Sequence, residues 1–178
     1  MEVAPHEAAA GLARARRVPG RFEPVDEGQG FTVLVDYAHT PDSLENVLRA
    51  ARRLTAGRLI SVFGAGGDRD RDKRPKMGRA GAELSDLVVV TSDNPRSEDP
   101  EAIVAEVAAG AEGAGELEVV IDRREAIALA LGRAAAGDTV VIAGKGHEQG
   151  QEFENGRKVP FDDREVAREE LWKLGSPA

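Results

Sequence analysis

Five short runs rich in apolar and β-branched residues, Phe31–Val35, Leu59–Phe63, Leu87–Thr91, Leu117–Ile121 and Thr139–Ala143, alternate with longer segments whose apolar residues recur at helical spacing. The helical segments are Asp42–Leu54, Lys73–Leu84, Pro100–Ala109 and Arg123–Ala134, with a fifth at Asp163–Leu174. Strands separated by helices cannot pair as simple hairpins, because each helix carries the chain back across the sheet before the next strand begins. An α/β fold follows, a Rossmann-like, mostly parallel sheet with helices on both faces. Asn155-Gly156 lies between Gln151–Glu154 and Arg157–Phe161 and suits a two-residue type I′ turn, which predicts a C-terminal hairpin before the last helix. Ala8–Arg17 reads as a short leading helix that ends at Val18-Pro19-Gly20.

A chain of 178 residues is long enough for one core. Its 32 acidic and 24 basic residues give a formal charge of −8, which repels a phosphate backbone and argues against nucleic acid as a partner. With no cysteine there is no disulfide, thiolate nucleophile or Cys-type zinc site. The longest apolar runs, Leu87–Val90 and Val140–Ala143, are far shorter than the roughly 20 residues that cross a bilayer. No apolar signal stretch is visible at the N-terminus. The expectation is a cytoplasmic protein without a membrane partner.

Ligands of open α/β sheets gather beyond the carboxyl ends of the strands, so the polar residues that follow each apolar run are the candidates. After the first strand comes Asp36-Tyr37-Ala38-His39-Thr40-Pro41. A purine can stack on its rings while Asp36 accepts a hydrogen bond, although Thr40 or Asp42 equally suits a helix cap, with His39 a turn residue. After the second, Gly64, Gly66 and Gly67 allow a tight turn, and Arg69 presents a planar fork for a carboxylate or phosphate. Asp68, Asp70 and Asp72 lack the glycine and glutamate of a calcium loop. After the third, Pro95 restrains the Asp93-Asn94-Pro95-Arg96 turn, whose guanidinium and carboxylate suit the two charges of an amino acid, though the segment also suits a plain helix-initiating turn. After the fifth, Gly144-Lys145-Gly146-His147-Glu148 lacks the Ser or Thr of a phosphate-binding loop; Glu148 could accept from an ammonium, and Lys145 or backbone N–H groups could meet a carboxylate. Histidines at metal-ligand spacing are absent, and Phe22, Phe153, Phe161 and Trp172 read as packing.

Taken in order, V-D-Y-A-H-T-P-D-S-L (Val35–Leu44), F-G-A-G-G-D-R-D-R-D-K-R-P (Phe63–Pro75), T-S-D-N-P-R-S-E-D-P (Thr91–Pro100), A-G-K-G-H-E (Ala143–Glu148) and F-D-D-R-E-V-A (Phe161–Ala167) resemble the C-terminal domain of the Mur ligases, and among them the UDP-N-acetylmuramoyl-tripeptide synthetases. The resemblance implies an ATP-dependent amide-bond ligase of peptidoglycan synthesis, in which an amine attacks an acyl phosphate. It implies that Arg69, Asp93, Asn94, Arg96, Gly144 and Glu148 hold meso-diaminopimelate, and that Arg21, Asp36, Tyr37 and His39 approach the nucleotide. Members that use lysine depart from D-N-P-R at the arginine, so Arg96 favours diaminopimelate. Residues 1–20 look like the tail of a preceding central domain, and residues 21–178 like the C-terminal domain itself. By the same resemblance, ATP, Mg2+ and UDP-N-acetylmuramoyl-dipeptide are engaged through domains outside this sequence, so that no catalytic residue, metal site or bound cofactor is expected of this chain alone. A stand-alone or pseudo-enzyme binding module is the alternative, and a folate-polyglutamate ligase a weaker one.

Overall fold

A computed structural model of the chain describes Ala4 and residues 18–175, so the expected helix at Ala8–Arg17 lies outside the described residues. Six strands form one sheet: β1 (Glu23–Pro24), β2 (Thr32–Asp36), β3 (Leu59–Phe63), β4 (Leu87–Val90), β5 (Glu116–Val119) and β6 (Thr139–Ala143). Their order is β1-β2-β6-β3-β4-β5. All neighbours run parallel except β1, which pairs antiparallel with β2 through Glu23↔Val35 and Pro24↔Leu34. Sequence periodicity missed β1, because two residues, one of them proline, carry no alternation; an edge position tolerates the proline.

The central strands read as unbroken apolar runs because both faces are covered. On one side α1 (Pro41–Arg52), α2 (Lys73–Leu84) and α3 (Pro100–Gly110) pack Leu44, Leu48, Met77, Ile103 and Val107 on Leu34, Leu59, Phe63 and Val90. On the other, α4 (Arg123–Arg133) and α5 (Asp163–Gly175) pack Ile127, Leu131, Val166 and Leu171 on Val33, Val35, Ile60, Val62 and Ile142. Each fully buried Leu, Ile or Val is worth about 1.5–3 kcal/mol over an exposed one. At the outer edge, β5 alternates Glu116 and Glu118 with apolar residues. Arg58 and Arg133 pair with these carboxylates, placing charge along the sheet edge.

The expected hairpin is present as β7 (Gly150–Glu152) and β8 (Lys158–Pro160), joined through a single turn at Glu154–Gly156. Asn155 at φ 58°, ψ 26° and Gly156 at φ 71° occupy the left-handed region that a type I′ turn demands. Trp172, read from sequence as packing, is 73% exposed. Val166, Ala167, Glu170 and Leu171 form the buried side of α5, and one further residue rotates Trp172 away from it. Among the described residues, no helix is long and apolar enough to cross a membrane.

Candidate functional site

Because β2, β6, β3 and β4 are adjacent and parallel, their carboxyl ends bring four loops to one rim. The loops enclose a cleft of about 400 Å³. Tyr37 and His39 line it from the first loop, Gly66 and Arg69 from the second, Asp93, Asn94 and Arg96 from the third, and Gly144 and Glu148 from the fourth. Residues expected to hold an amino acid and residues expected to face a nucleotide thus share one cleft. Arg21 and Asp36 do not line it.

The floor is organised by Lys145. Its side chain is fully buried, with Nζ donating to Asn94 Oδ1 at 2.8 Å, Glu148 Oε2 at 3.3 Å and Asp93 Oδ1 at 3.4 Å. The suggestion that Lys145 meets a ligand carboxylate is corrected by this geometry: its charge is turned inward and compensated by the protein's own acids. Asn94 Oδ1 also accepts from Glu152 N at 2.9 Å, and its Nδ2 donates to Glu148 Oε2 at 3.1 Å. Two donors on one side and a carboxylate on the other fix the amide orientation by chemistry. Gly144 has φ +125°, and a Cβ there would lie 2.7 Å from Asp93 Oδ2, so the fourth loop can pass this close to Asp93 only as glycine.

Arg96 sits at φ +54°, a left-handed conformation that a non-glycine residue adopts at a cost. Three hydrogen bonds hold it there: its N–H donates to Glu152 O at 3.0 Å, Nε to Glu152 Oε2 at 3.1 Å and Nη1 to Gly67 O at 2.7 Å. The guanidinium is thereby locked in place, with a parallel bridge to Phe153 continuing the backbone contact into the hairpin region. Arg69 is exposed, its one side-chain hydrogen bond being Nη1 to Asp68 O at 3.3 Å. Lys73, which sequence reasoning passed over, also lines the cleft and donates from Nζ to the His39 carbonyl at 3.0 Å. Burial pushes the Lys73 ammonium below the usual lysine range, opposed by the negative charge of Asp93 and Asp70. The one cue to Lys73 in the sequence is a basic residue opening a helix with no acid in its first turn, the reverse of the usual preference.

At the other end of the cleft, His39 meets Tyr37 edge-on at 4.7 Å, His147 lies 5.6 Å from the same ring, and the Arg21 guanidinium stands 4.5 Å over it. Thr40 caps α1 in a reciprocal capping box with Ser43, and His39 Nδ1 contacts the Tyr37 carbonyl at 2.8 Å, so the turn role and the cleft role coexist. The Asp36 carboxylate accepts from Phe22 N at 2.7 Å and Ala38 N at 2.9 Å. It ties the chain ahead of β1 to the first loop. Gly20, at φ +66°, lies against the Gly146–His147 backbone, where a Cβ would come within 2.1 Å of His147 N.

Sequence reasoning missed two buried arginines. Arg123 Nε and Nη2 each donate at 2.8 Å to the Asp163 carboxylate, both side chains being fully buried, while Nη2 reaches Ala143 O at 3.0 Å and Nη1 reaches Ser92 O at 3.3 Å. One fork thus ties together the ends of β4 and β6 and the start of α5, one residue before Asp93 and Gly144. Arg74 donates to Glu98 at 2.7 Å and Glu106 at 2.9 Å beneath the second loop, leaving Nε without a partner. Both arginines sit where helices begin and look in the sequence like solvated charges.

The residues present do not fit a magnesium–triphosphate cradle. Lys145 is committed to Asp93, Asn94 and Glu148, and among the described residues no group of three or more His, Cys, Asp or Glu could hold a metal ion. What the cleft offers is an aromatic wall, three cationic side chains (Arg69, Lys73 and Arg96) and three carboxylates (Asp70, Asp93 and Glu148).

This combination of fold and cleft is that of a Mur ligase domain: residues 20–146 match the family described as Mur ligase, glutamate ligase domain, and the chain belongs to that family. More particularly, the chain is 58% identical over 162 residues to the UDP-N-acetylmuramoyl-L-alanyl-D-glutamate–2,6-diaminopimelate ligase of Syntrophomonas wolfei, a match covering 90% of this chain and 33% of that protein. It is 55% identical over 174 residues to the ligase of the same name from Streptomyces coelicolor, covering 95% and 34%. A solved structure of a ligase of that name superposes with a TM-score of 0.84 at 41% identity, covering 97% of this chain and 37% of the other. The chain spans about a third of the length of the curated relatives it matches. Folylpolyglutamate synthase of Mycobacterium tuberculosis complexed with ADP is more distant, with a TM-score of 0.60 at 25% identity over 80% of this chain and 33% of that one.

Proposed function

We propose that this chain is the amino-acid-binding domain of an ATP-dependent ligase that adds meso-diaminopimelate to UDP-N-acetylmuramoyl-L-Ala-D-Glu in the cytoplasm, with residues 21–178 as the domain and residues 1–20 as the tail of a preceding one. The observation that carries this reading is the convergence of Arg69, Arg96, Asp93 and Glu148 on one cleft. Diaminopimelate carries an ammonium and a carboxylate at each end. Arg96 and Arg69 suit one carboxylate, and Asp93 and Glu148 the neighbouring ammonium, with Asn94 and Gly144 shaping the floor between them. An amine at the far end remains free to attack an acyl phosphate. Arg21, Tyr37 and His39 suit the nucleotide when the domain closes on it, Asp36 holding their loop in place. The relatives' names support the substrate, and their greater length supports a division of labour. ATP, Mg2+ and the UDP-linked dipeptide then belong to the rest of the enzyme.

The test is a competition in the complete ligase polypeptide between meso-diaminopimelate and L-lysine, which lacks the second carboxylate. Preference for diaminopimelate by two or more orders of magnitude in kcat/KM is expected, since lysine attacking through its α-amine presents no carboxylate to the cleft-facing N–H groups of Arg69 and Arg96. Equal use of lysine sinks the substrate assignment. A complete polypeptide that binds diaminopimelate without consuming ATP would instead mark a binding module.

A further inference from the structure

Beside each arginine proposed to face the ligand carboxylate stands a residue of a second kind. Asp68 precedes Arg69, and Ser97 follows Arg96. Their side chains meet: Ser97 Oγ lies 2.6 Å from Asp68 Oδ1, and Ser97 N donates to Asp68 Oδ2 at 3.2 Å. The backbone at Asp68 is left-handed, φ 53°, matching the 54° at Arg96 across the contact. Two strained residues that face each other persist only where their surroundings hold them.

We propose that Asp68 and Ser97 form a clasp that fixes the separation of the two loop backbones carrying Arg69 and Arg96, which makes Asp68 a positioning residue for the ligand carboxylate. The clasp rests on the amino-acid-binding reading above. Three contacts show that it is built rather than incidental. Gly67 N donates to Asn94 O at 2.9 Å, and Arg96 Nη1 returns a bond to Gly67 O at 2.7 Å, so the loops are stitched on the cleft side. Asp68 N donates at 2.7 Å to Glu98, which the buried Arg74 holds from beneath. Hydrogen bonds from the Ser97 hydroxyl and amide favour the ionised Asp68 carboxyl and hold it below its ordinary range. An ionised acceptor shared by two donors is the strong form of such a contact.

The experiment uses the complete ligase polypeptide and separate KM values for meso-diaminopimelate and ATP. Ser97→Ala deletes one exposed hydroxyl without touching either strained residue. Asp68→Gly relieves the left-handed strain and removes the acceptor. Each is expected to raise the diaminopimelate KM about tenfold, with the double variant no worse than either alone, and with kcat and the ATP KM within about twofold of the parent. Ser97→Thr, which keeps the hydroxyl, should restore the parent values, and Asp68→Asn, which tolerates the left-handed backbone and keeps one acceptor but loses the charge, should fall between the parent and Asp68→Gly. An unchanged diaminopimelate KM in folded Ser97→Ala and Asp68→Gly overturns the clasp while leaving the substrate reading intact, provided Arg96→Ala still raises it. If Arg96→Ala is also silent, or the parent shows no diaminopimelate-dependent ATP turnover, the reading and the clasp fall together.

Discussion

Lys145 Nζ sits 2.8 Å from the Asn94 amide oxygen, a fully buried ammonium centred between two carboxylates, Asp93 at 3.4 Å and Glu148 at 3.3 Å. The arrangement leaves the acids one negative charge in excess of the lysine, which suits a single ligand ammonium. Lys145→Met should leave the acids uncompensated beside a desolvated floor and destabilise the domain by about 3 kcal/mol. Urea unfolding of the chain measures it, and a shift within about 0.5 kcal/mol would show that the floor relaxes without its cation.

Arg96→Ala should weaken meso-diaminopimelate binding by about 1.5–3 kcal/mol, as expected for loss of a charge-assisted hydrogen bond. Because Arg96 is left-handed at φ +54°, Arg96→Gly is the cleaner companion, removing the guanidinium without adding strain. Similar losses in the two variants assign the effect to the fork; a loss in the alanine variant alone assigns it to the backbone.

Glu98 carries the sharpest acid dependence. Its hydrogen bond from Arg74, then that from Asp68 N, lowers its carboxyl from an ordinary 4.5 to about 2. Between these values the unfolded chain binds the extra proton and the folded chain does not, so stability rises with pH there. The contribution is complete above about pH 4.5 and is lost as pH falls toward 2. Comparing urea midpoints of the parent and Glu98→Gln across that window should show a flatter acid limb in the variant. Parallel curves would mean that Arg74 does not favour the ionised form.

Arg123→Met is expected to cost about 3–5 kcal/mol, because it abandons Asp163 as an unpaired buried carboxylate. The double replacement Arg123→Met with Asp163→Leu should recover much of that loss, since an apolar pair needs no compensation. Recovered stability without recovered diaminopimelate affinity would separate the fork's hold on Ser92 and Ala143 from its contribution to folding.

The architecture was legible because buried parallel strands leave unbroken apolar runs: Leu59–Phe63 and Thr139–Ala143 are found at their expected bounds. The ligand rim followed from the rule that parallel strands present their carboxyl ends together, and most expected residues do line the cleft. What escaped was the direction in which charges point. Lys145 and Arg123 are indistinguishable from surface residues until distant segments, Asp93 and Asp163 among them, are brought beside them. The left-handed backbone of Arg96 was equally silent, and that of Asp68 nearly so, for aspartate is only enriched in that region and arginine is not. Asp36 was visible, but its carboxylate serves the Phe22 and Ala38 amides rather than the cleft.

Gly20 rests directly on Gly146 and His147, with no side chain between the two backbones to absorb displacement. The chain therefore enters the fold against the same loop that carries Lys145 and Glu148. A side chain at Gly20 would therefore bear first on Gly146 and His147, the residues between Lys145 and Glu148. The entry of the chain into the fold and the loop that carries Lys145 and Glu148 thus share one direct backbone contact.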